Sequence, residues 1–253
     1  MASTDLLRKI RIALTPRDHL LRTTLANGAV VLGRNRAGFG GRGVYVMRDE
    51  IEKELVFVDR FLGSEGVFVD VGANTGVYTL KVAKHFANRG TVIALEPFLE
   101  TLVVLQKSVE LNGFTNVRLR NVCAGSHTHS GELWLNRAKP NSFSLNRFDS
   151  QAKSVSTLIV SIDDLLRWEG VSRLDYLKID AEGAEDEILS GARDSVARFR
   201  LIVQAEVTVS SVSTSLPDYV PLTTEGSPNL LFVPLEHRKL PIIKGLGWRN
   251  AVA

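Results

Sequence analysis

Val67 to Val71 form a short apolar run carrying one acid, Asp70. They lead straight into Gly72-Ala73-Asn74-Thr75-Gly76 and then into a segment of helical spacing. A strand apolar on both faces needs cover on both faces, which in most folds means helices packed on either side of a parallel sheet. The rhythm repeats downstream. Val92 to Leu95, Asn116 to Val122, Leu174 to Ile179 and Leu201 to Val207 read as further strands, and residues 76–87, 99–112, 162–168 and 183–192 as helices. The fold class expected is therefore α/β, with a mostly parallel sheet and helices on both faces.

The chain has 253 residues, 44% of them hydrophobic, and a formal charge of +3, a composition that excludes disordered, collagenous and coiled-coil classes. Cys123 is the only cysteine, so neither an intramolecular disulfide framework nor a multi-cysteine metal centre can form, and a reducing, cytoplasmic setting is expected. No apolar run approaches the roughly 18 to 20 residues that cross a bilayer. The charge is uneven. Residues 1–48 hold nine basic and two acidic side chains, a net +7. Without interleaved aromatic residues, such an arm is expected to be a solvated face rather than a nucleic-acid platform.

That arm, residues 1–48, reads as an N-terminal extension. A short amphipathic helix over 3–14 is expected to pack as an outer brace, with a hairpin about Asn27-Gly28 and a flexible loop through Gly38, Gly40, Gly41 and Gly43. Residues 49–253 would form the main domain, opening with a helix over 49–62. Residues 130–161 read as an antiparallel insertion at the sheet's edge, flanking a polar loop, Lys139 to Ser150, that could act as a lid. The proline-rich tail after Val209 is expected to hold only short strands and turns.

The glycine turn after the first buried strand makes a nucleotide-type cleft, because Gly72, Asn74 and Gly76 tolerate left-handed backbone. Glu96 ends the next strand, where an acid can accept hydrogen bonds from both ribose hydroxyls. A dinucleotide site would read G-x-G-x-x-G, whereas this chain reads D-V-G-A-N-T-G, with Asp70 where an apolar residue is usual. A carboxylate there suits S-adenosylmethionine, with its sulfonium and ammonium, better than a diphosphate. Ala73 belongs to the same turn, and Asn121, at the end of the third strand, is counted with the cofactor set.

The second informative segment is Leu174-Asp175-Tyr176-Leu177-Lys178-Ile179-Asp180-Ala181-Glu182-Gly183-Ala184-Glu185. Lys178 and Asp180 fall on one face of a strand, and a buried lysine needs a partner, which Asp180, Glu182 or Glu206 could supply. The three carboxylates could also converge on a metal, although no metal site is assigned.

With D-V-G-A-N-T-G at 70–76, A-L-E-P at 94–97, S-I-D-D-L at 161–165 and L-K-I-D-A-E-G-A-E at 177–185, the sequence resembles the FkbM family of S-adenosylmethionine-dependent methyltransferases. G-R-G-V-Y-V-M-R-D at 41–49 looks like that family's lead-in. The resemblance implies a Rossmann-like class I methyltransferase sheet and O-methylation of a hydroxyl on a sugar, glycan or natural-product metabolite. It places Asp70, Gly72, Asn74 and Gly76 at the methionine end of the cofactor, Glu96 at the ribose, and Asp180 and Glu182 at the active-site edge. Two features depart from the family: Glu206-Val207-Thr208 lacks a histidine that many relatives carry, and Gly125-Ser126-His127 stands where an acid is usual.

An alcohol needs a base within reach to become a good nucleophile. Asp180 is the first candidate, supported by Lys178, with Glu182 and His127 behind it and His129 and His237 as weaker alternatives. Glu182 could instead favour a helix start and the histidines could be solvated loop residues. Two rival readings are a catalytically silent binding module of the same fold and an RNA methyltransferase using the basic arm. Asp180-Ala181-Glu182-Gly183 in place of Asn/Asp-Pro-Pro-aromatic argues against N6-adenine chemistry.

Overall fold

A computed structural model describes residues 2–135, 143–144, 153–181, 183–206 and 216–251. Helix α1 (Ala2–Leu14) leads into the strands β1 (Leu20–Thr24) and β2 (Val30–Arg34), then α2 (Gly41–Met47), two 3-10 turns (Arg48–Ile51 and Glu54–Val56) and the one-turn α3 (Val58–Phe61). The alternation follows as β3 (Val67–Val71), α4 (Val77–Phe86), β4 (Thr91–Leu95), α5 (Leu99–Asn112) and β5 (Val117–Arg120). After β6 (Cys123–Ala124), β7 (His129–Leu135), β8 (Phe143–Ser144) and β9 (Lys153–Val160) come α6 (Ile162–Trp168), β10 (Tyr176–Ile179), α7 (Glu185–Ser190), α8 (Arg193–Phe199) and β11 (Ile202–Glu206). The chain closes with β12 (Tyr219–Thr223), β13 (Asn229–Pro234), α9 (Leu240–Gly245) and β14 (Arg249–Asn250).

The main sheet has the order β14-β12-β13-β11-β10-β3-β4-β5, and its five strands from β11 to β5 are parallel. The chain runs outward from β3 to β5 and then returns to β10 on the other side of β3. That reversal lies at β3 and β10, and in open α/β sheets ligands bind outside the carboxyl ends of the strands at such a point. Strand alternation sends Phe68, Tyr176 and Ile202 into one core with α4 and the N-terminal elements, and Val69, Leu177 and Val203 into the opposite core with α6, α7 and α8. Leu25, Ala29, Val31 and Val44 belong to the first of these cores, so the N-terminal segment is packed onto the sheet domain.

Several expectations are corrected. Residues 49–62 are three short turns rather than one helix, because Glu52 is extended and because Asp49 is drawn to tertiary partners. Its carboxylate accepts from Ala26 N at 2.7 Å and pairs with the buried Lys81 ammonium at 2.7 Å. The glycine-rich stretch is not a free loop, since Gly41 starts α2. A Cβ on Gly33 would lie 2.4 Å from Gly41 Cα, so these two glycines let two backbone segments touch.

The hairpin forms, with only Gly28 at positive φ. A three-residue loop is closed by Leu25 N bonding Ala29 O and Gly28 N bonding Leu25 O. The β7–β9 pair is antiparallel as expected but belongs to a separate four-stranded sheet, β6-β9-β7-β8. The tail does more than turn: β13 inserts antiparallel between β11 and β12, and α9 carries Pro241 in its first turn, where no N–H is needed. Helix α8 follows directly on α7, beyond the helical spacing of 183–192. Most of the Lys139 to Ser150 loop lies outside the described residues. Helix α1 is held by polar contacts, with Arg8 Nη1 on Val46 O at 2.8 Å and Asn35 Nδ2 on Ile12 O and Thr15 O, while its apolar row faces outward.

Candidate active site

The turn after β3 is built by its own backbone. Gly72, Asn74 and Gly76 take φ of 72°, 49° and 79°, and Gly72 N and Ala73 N both donate to Leu95 O at the end of β4. A Cβ on Gly72 would come within 1.9 Å of Asp180 O, and one on Gly76 within 2.2 Å of a Leu105 methyl. These glycines are thus required by how closely the turn approaches the end of β10 and helix α5, and any approach by a ligand comes in addition.

Glu96 closes one side. Its carboxylate is buried and accepts from Asn74 N at 2.9 Å and from Phe98 N at 2.8 Å, bridging the glycine turn to the start of α5. Burial outweighs these bonds and raises its pKa to about 7. A carboxyl that ionises less readily in the fold than in the unfolded chain gives stability that is complete below pH 4.5 and is lost as pH rises through about 7. Glu96→Gln should therefore flatten the fall of unfolding free energy across that window by ~3 kcal/mol. Denaturant titrations of both proteins at a series of pH values measure this, and parallel profiles would contradict it. Asn121 Nδ2 donates to Glu96 O at 2.9 Å and Pro97 O at 2.8 Å, so it ties the ends of β4 and β5 together.

The other side is a polar row crossing the sheet. In register, Lys178 on β10 stands beside Asp70 on β3 and Gln204 on β11. Lys178 Nζ lies 3.2 Å from Asp180 Oδ2, 3.7 Å from Asp70 Oδ1 and 5.0 Å from the centre of the Tyr78 ring. Burial works against its charge, but the carboxylates of Asp180, Asp70 and Glu52 outweigh it and hold the ammonium protonated above its ordinary range. Asp70 is fully buried: its Oδ2 accepts from Thr79 N at 3.1 Å and Thr79 Oγ1 at 2.6 Å, which fixes the first turn of α4. Burial raises the Asp70 pKa, and Lys178 opposes that rise. Lys178 thus takes Asp180, as expected, and also Asp70, a partner the linear sequence did not suggest.

The sequence reading also missed the cover of this row. Tyr176 donates to Gln204 Oε1 at 2.7 Å, Gln204 Nε2 donates to Tyr78 OH at 3.0 Å, and Glu52 is half-buried beside Tyr78 and Lys178. Burial raises the Glu52 pKa. Asp180 stands at the mouth with its side chain 37% exposed, while Lys178 is 4% exposed. Glu185, buried at the start of α7, accepts from Ala181 N and Gly183 N and shapes the loop beyond Asp180.

Glu182 lies outside the described residues. His127 is exposed and stacked on His129 at 4.2 Å, and no hydrogen bond or ion pair among the described residues joins it to Asp180 or Lys178. His237 is half-buried, with Nδ1 accepting from Lys239 N. Among the described residues no group of three His, Cys, Asp or Glu side chains is arranged to hold a metal ion. No described helix is long and apolar enough to cross a membrane.

The donor set fits an adenosyl cofactor carrying positive charge. Glu96 faces the glycine turn, the carbonyl oxygen of the Asn74 side chain is buried without a hydrogen-bond partner among the described residues, and Phe39 from the N-terminal segment packs on Phe98 at 6.2 Å. The sequence is 28% identical over 168 residues to Methyltransferase 1 of Beauveria bassiana (strain ARSEF 2860), covering 57% of this chain and 67% of that protein. The crystal structure of methyltransferase FkbM from Methylobacillus flagellatus KT aligns over 90% of this chain with a TM-score of 0.50 at 17% identity, a likeness of fold. This chain spans 59% of that structure's length. The family model for the methyltransferase FkbM domain matches residues 70–220, well over half of the sequence, and the chain belongs to that family.

Proposed function

We propose that this protein is an S-adenosylmethionine-dependent O-methyltransferase acting on a hydroxyl of a sugar, glycan or natural-product metabolite. The observation that carries the reading is Asp180: a partly exposed carboxylate at the end of β10, held by a buried ammonium, on a residue whose backbone carbonyl abuts the glycine turn. When bound, the cofactor supplies a methyl group already activated on a sulfonium. The residues that would hold it are those of the Gly72–Gly76 turn, with Glu96 and Asn74 offering acceptors to hydroxyl and amino groups.

The protein's task is then orientation and proton handling. Lys178, pinned between Asp70 and Asp180, holds the Asp180 carboxylate in place at the mouth through their ion pair. An acceptor hydroxyl placed at this mouth would give its proton to Asp180 and on to water, while the group held by the Gly72–Gly76 turn and Glu96 would supply the methyl. Glu52 offers a second acceptor on the same face, so a substrate rich in hydroxyl donors suits this lining better than an apolar one.

A panel of sugars, glycosides and polyketide aglycones, incubated with protein and methyl-labelled cofactor, tests the reading. Label in an alkali-stable ether is expected. Label found only in alkali-labile esters, or only in RNA, would overturn it.

A further inference from the structure

We propose that the N-terminal corner of this protein docks on an anionic lipid surface. Two independent features converge there. The first is helix α1, whose Leu6, Leu7 and Leu14 are 60%, 66% and 80% exposed, with Ile10 at 46%. At 3.6 residues per turn these four side chains fall within an arc of about 100°. Lys9 and Arg11 border that arc on either side. An apolar stripe with basic margins is the pattern of a helix lying in the plane of a membrane interface, its apolar side sunk among the headgroups.

The second feature is a cavity of about 330 Å³ between α1, β1 and α2, lined by Arg8, Arg11, Arg22 and Arg48 together with Tyr45 and Thr23. Arg8 is spent in part on Val46 O, but Arg11, Arg22 and Arg48 have no carboxylate within ion-pair distance among the described residues. Elsewhere in the same segment Arg36 reaches Asp18 and Glu100. Leu7 lines the cavity and also belongs to the apolar arc, so the two features form one surface. Guanidinium forks match phosphate oxygens, and basic residues next to an inserted helix are drawn to anionic headgroups. The apolar stripe explains what the arginines alone would leave open. A free anion would use the cavity and ignore the leucines, whereas a lipid surface uses both.

Co-sedimentation of the full chain with vesicles tests this. Binding is expected to vesicles of phosphatidylcholine and phosphatidylglycerol in equal parts, and not to phosphatidylcholine alone. Arg11→Gln and Arg22→Gln should each weaken it about fivefold, and Leu7→Ser and Leu14→Ser about tenfold each, all four variants keeping the wild-type melting temperature. Equal binding to both vesicle types, or to neither, would overturn the proposal. So would leucine variants that bind like wild type while inositol hexakisphosphate strips the protein from the vesicles, since the cavity would then serve a free polyphosphate.

Discussion

Asp180→Asn is expected to lower turnover by roughly two to four orders of magnitude while leaving cofactor affinity within a few-fold of wild type. The amide keeps an oxygen for Lys178 Nζ, now 3.2 Å from Asp180 Oδ2, so the row Asp70–Lys178–Gln204 should stand unchanged. What the variant loses is a carboxylate at the mouth able to take the acceptor's proton. Steady-state kinetics, with the cofactor dissociation constant measured separately, divides the two effects. Turnover within threefold of wild type would retire Asp180 as the base. A parallel collapse of cofactor binding would make it a binding residue instead.

Gly72→Ala should be the most damaging single methyl in the molecule. Two costs fall on one position: a φ of 72°, which a residue with a Cβ adopts at a penalty, and a Cβ 1.9 Å from the carbonyl oxygen of Asp180, in backbone that is tied by Asp180 N bonding Val71 O at 3.2 Å. Together they should remove about 4 kcal/mol, or about 10 °C in melting temperature. Gly63→Ala is the control, because a Cβ there meets nothing within 4 Å. Thermal melts of the two variants read the difference directly, and equal melting temperatures would show that the approach of the turn to β10 is looser than described.

The parallel sheet was legible because its strands are apolar on both faces, as in the all-buried Val67–Val71, and because helices of ordinary length separate them. Helix α5 and helix α6 fall where the spacing places them, over 99–112 and 162–168. The errors have a common origin in tertiary contact. Residues 49–62 carry apolar side chains at helical spacing, yet the Asp49–Lys81 pair and the extended Glu52 break them into turns, and nothing local announces a partner on α4. The glycines of 38–43 look flexible on paper, yet Gly41 serves a close backbone contact with Gly33 and Arg34, and Gly40 and Gly43 abut side chains.

The same logic divides the site. Lys178 and Asp180 are two residues apart on one strand, so their pairing follows from strand geometry alone. Asp70 and Gln204 reach Lys178 only through strand register, and Glu52 only through the folding of the N-terminal segment over α4, which no spacing in the chain encodes. Asp70 stands out in the sequence as an acid in an apolar strand, and its carboxylate is engaged by Thr79 and Lys178, so it fixes the helix start and the ammonium.

The central claim is that the crevice between β3 and β10 grips S-adenosylmethionine through the glycine turn and Glu96. Isothermal titration of S-adenosylmethionine into the wild-type chain and into Glu96→Ala tests it most directly. One site is expected in the wild type and an affinity at least tenfold weaker in the variant, since a buried acceptor for two ribose hydroxyls would be gone. Equal affinity in both proteins, or no binding to the wild type, would contradict it.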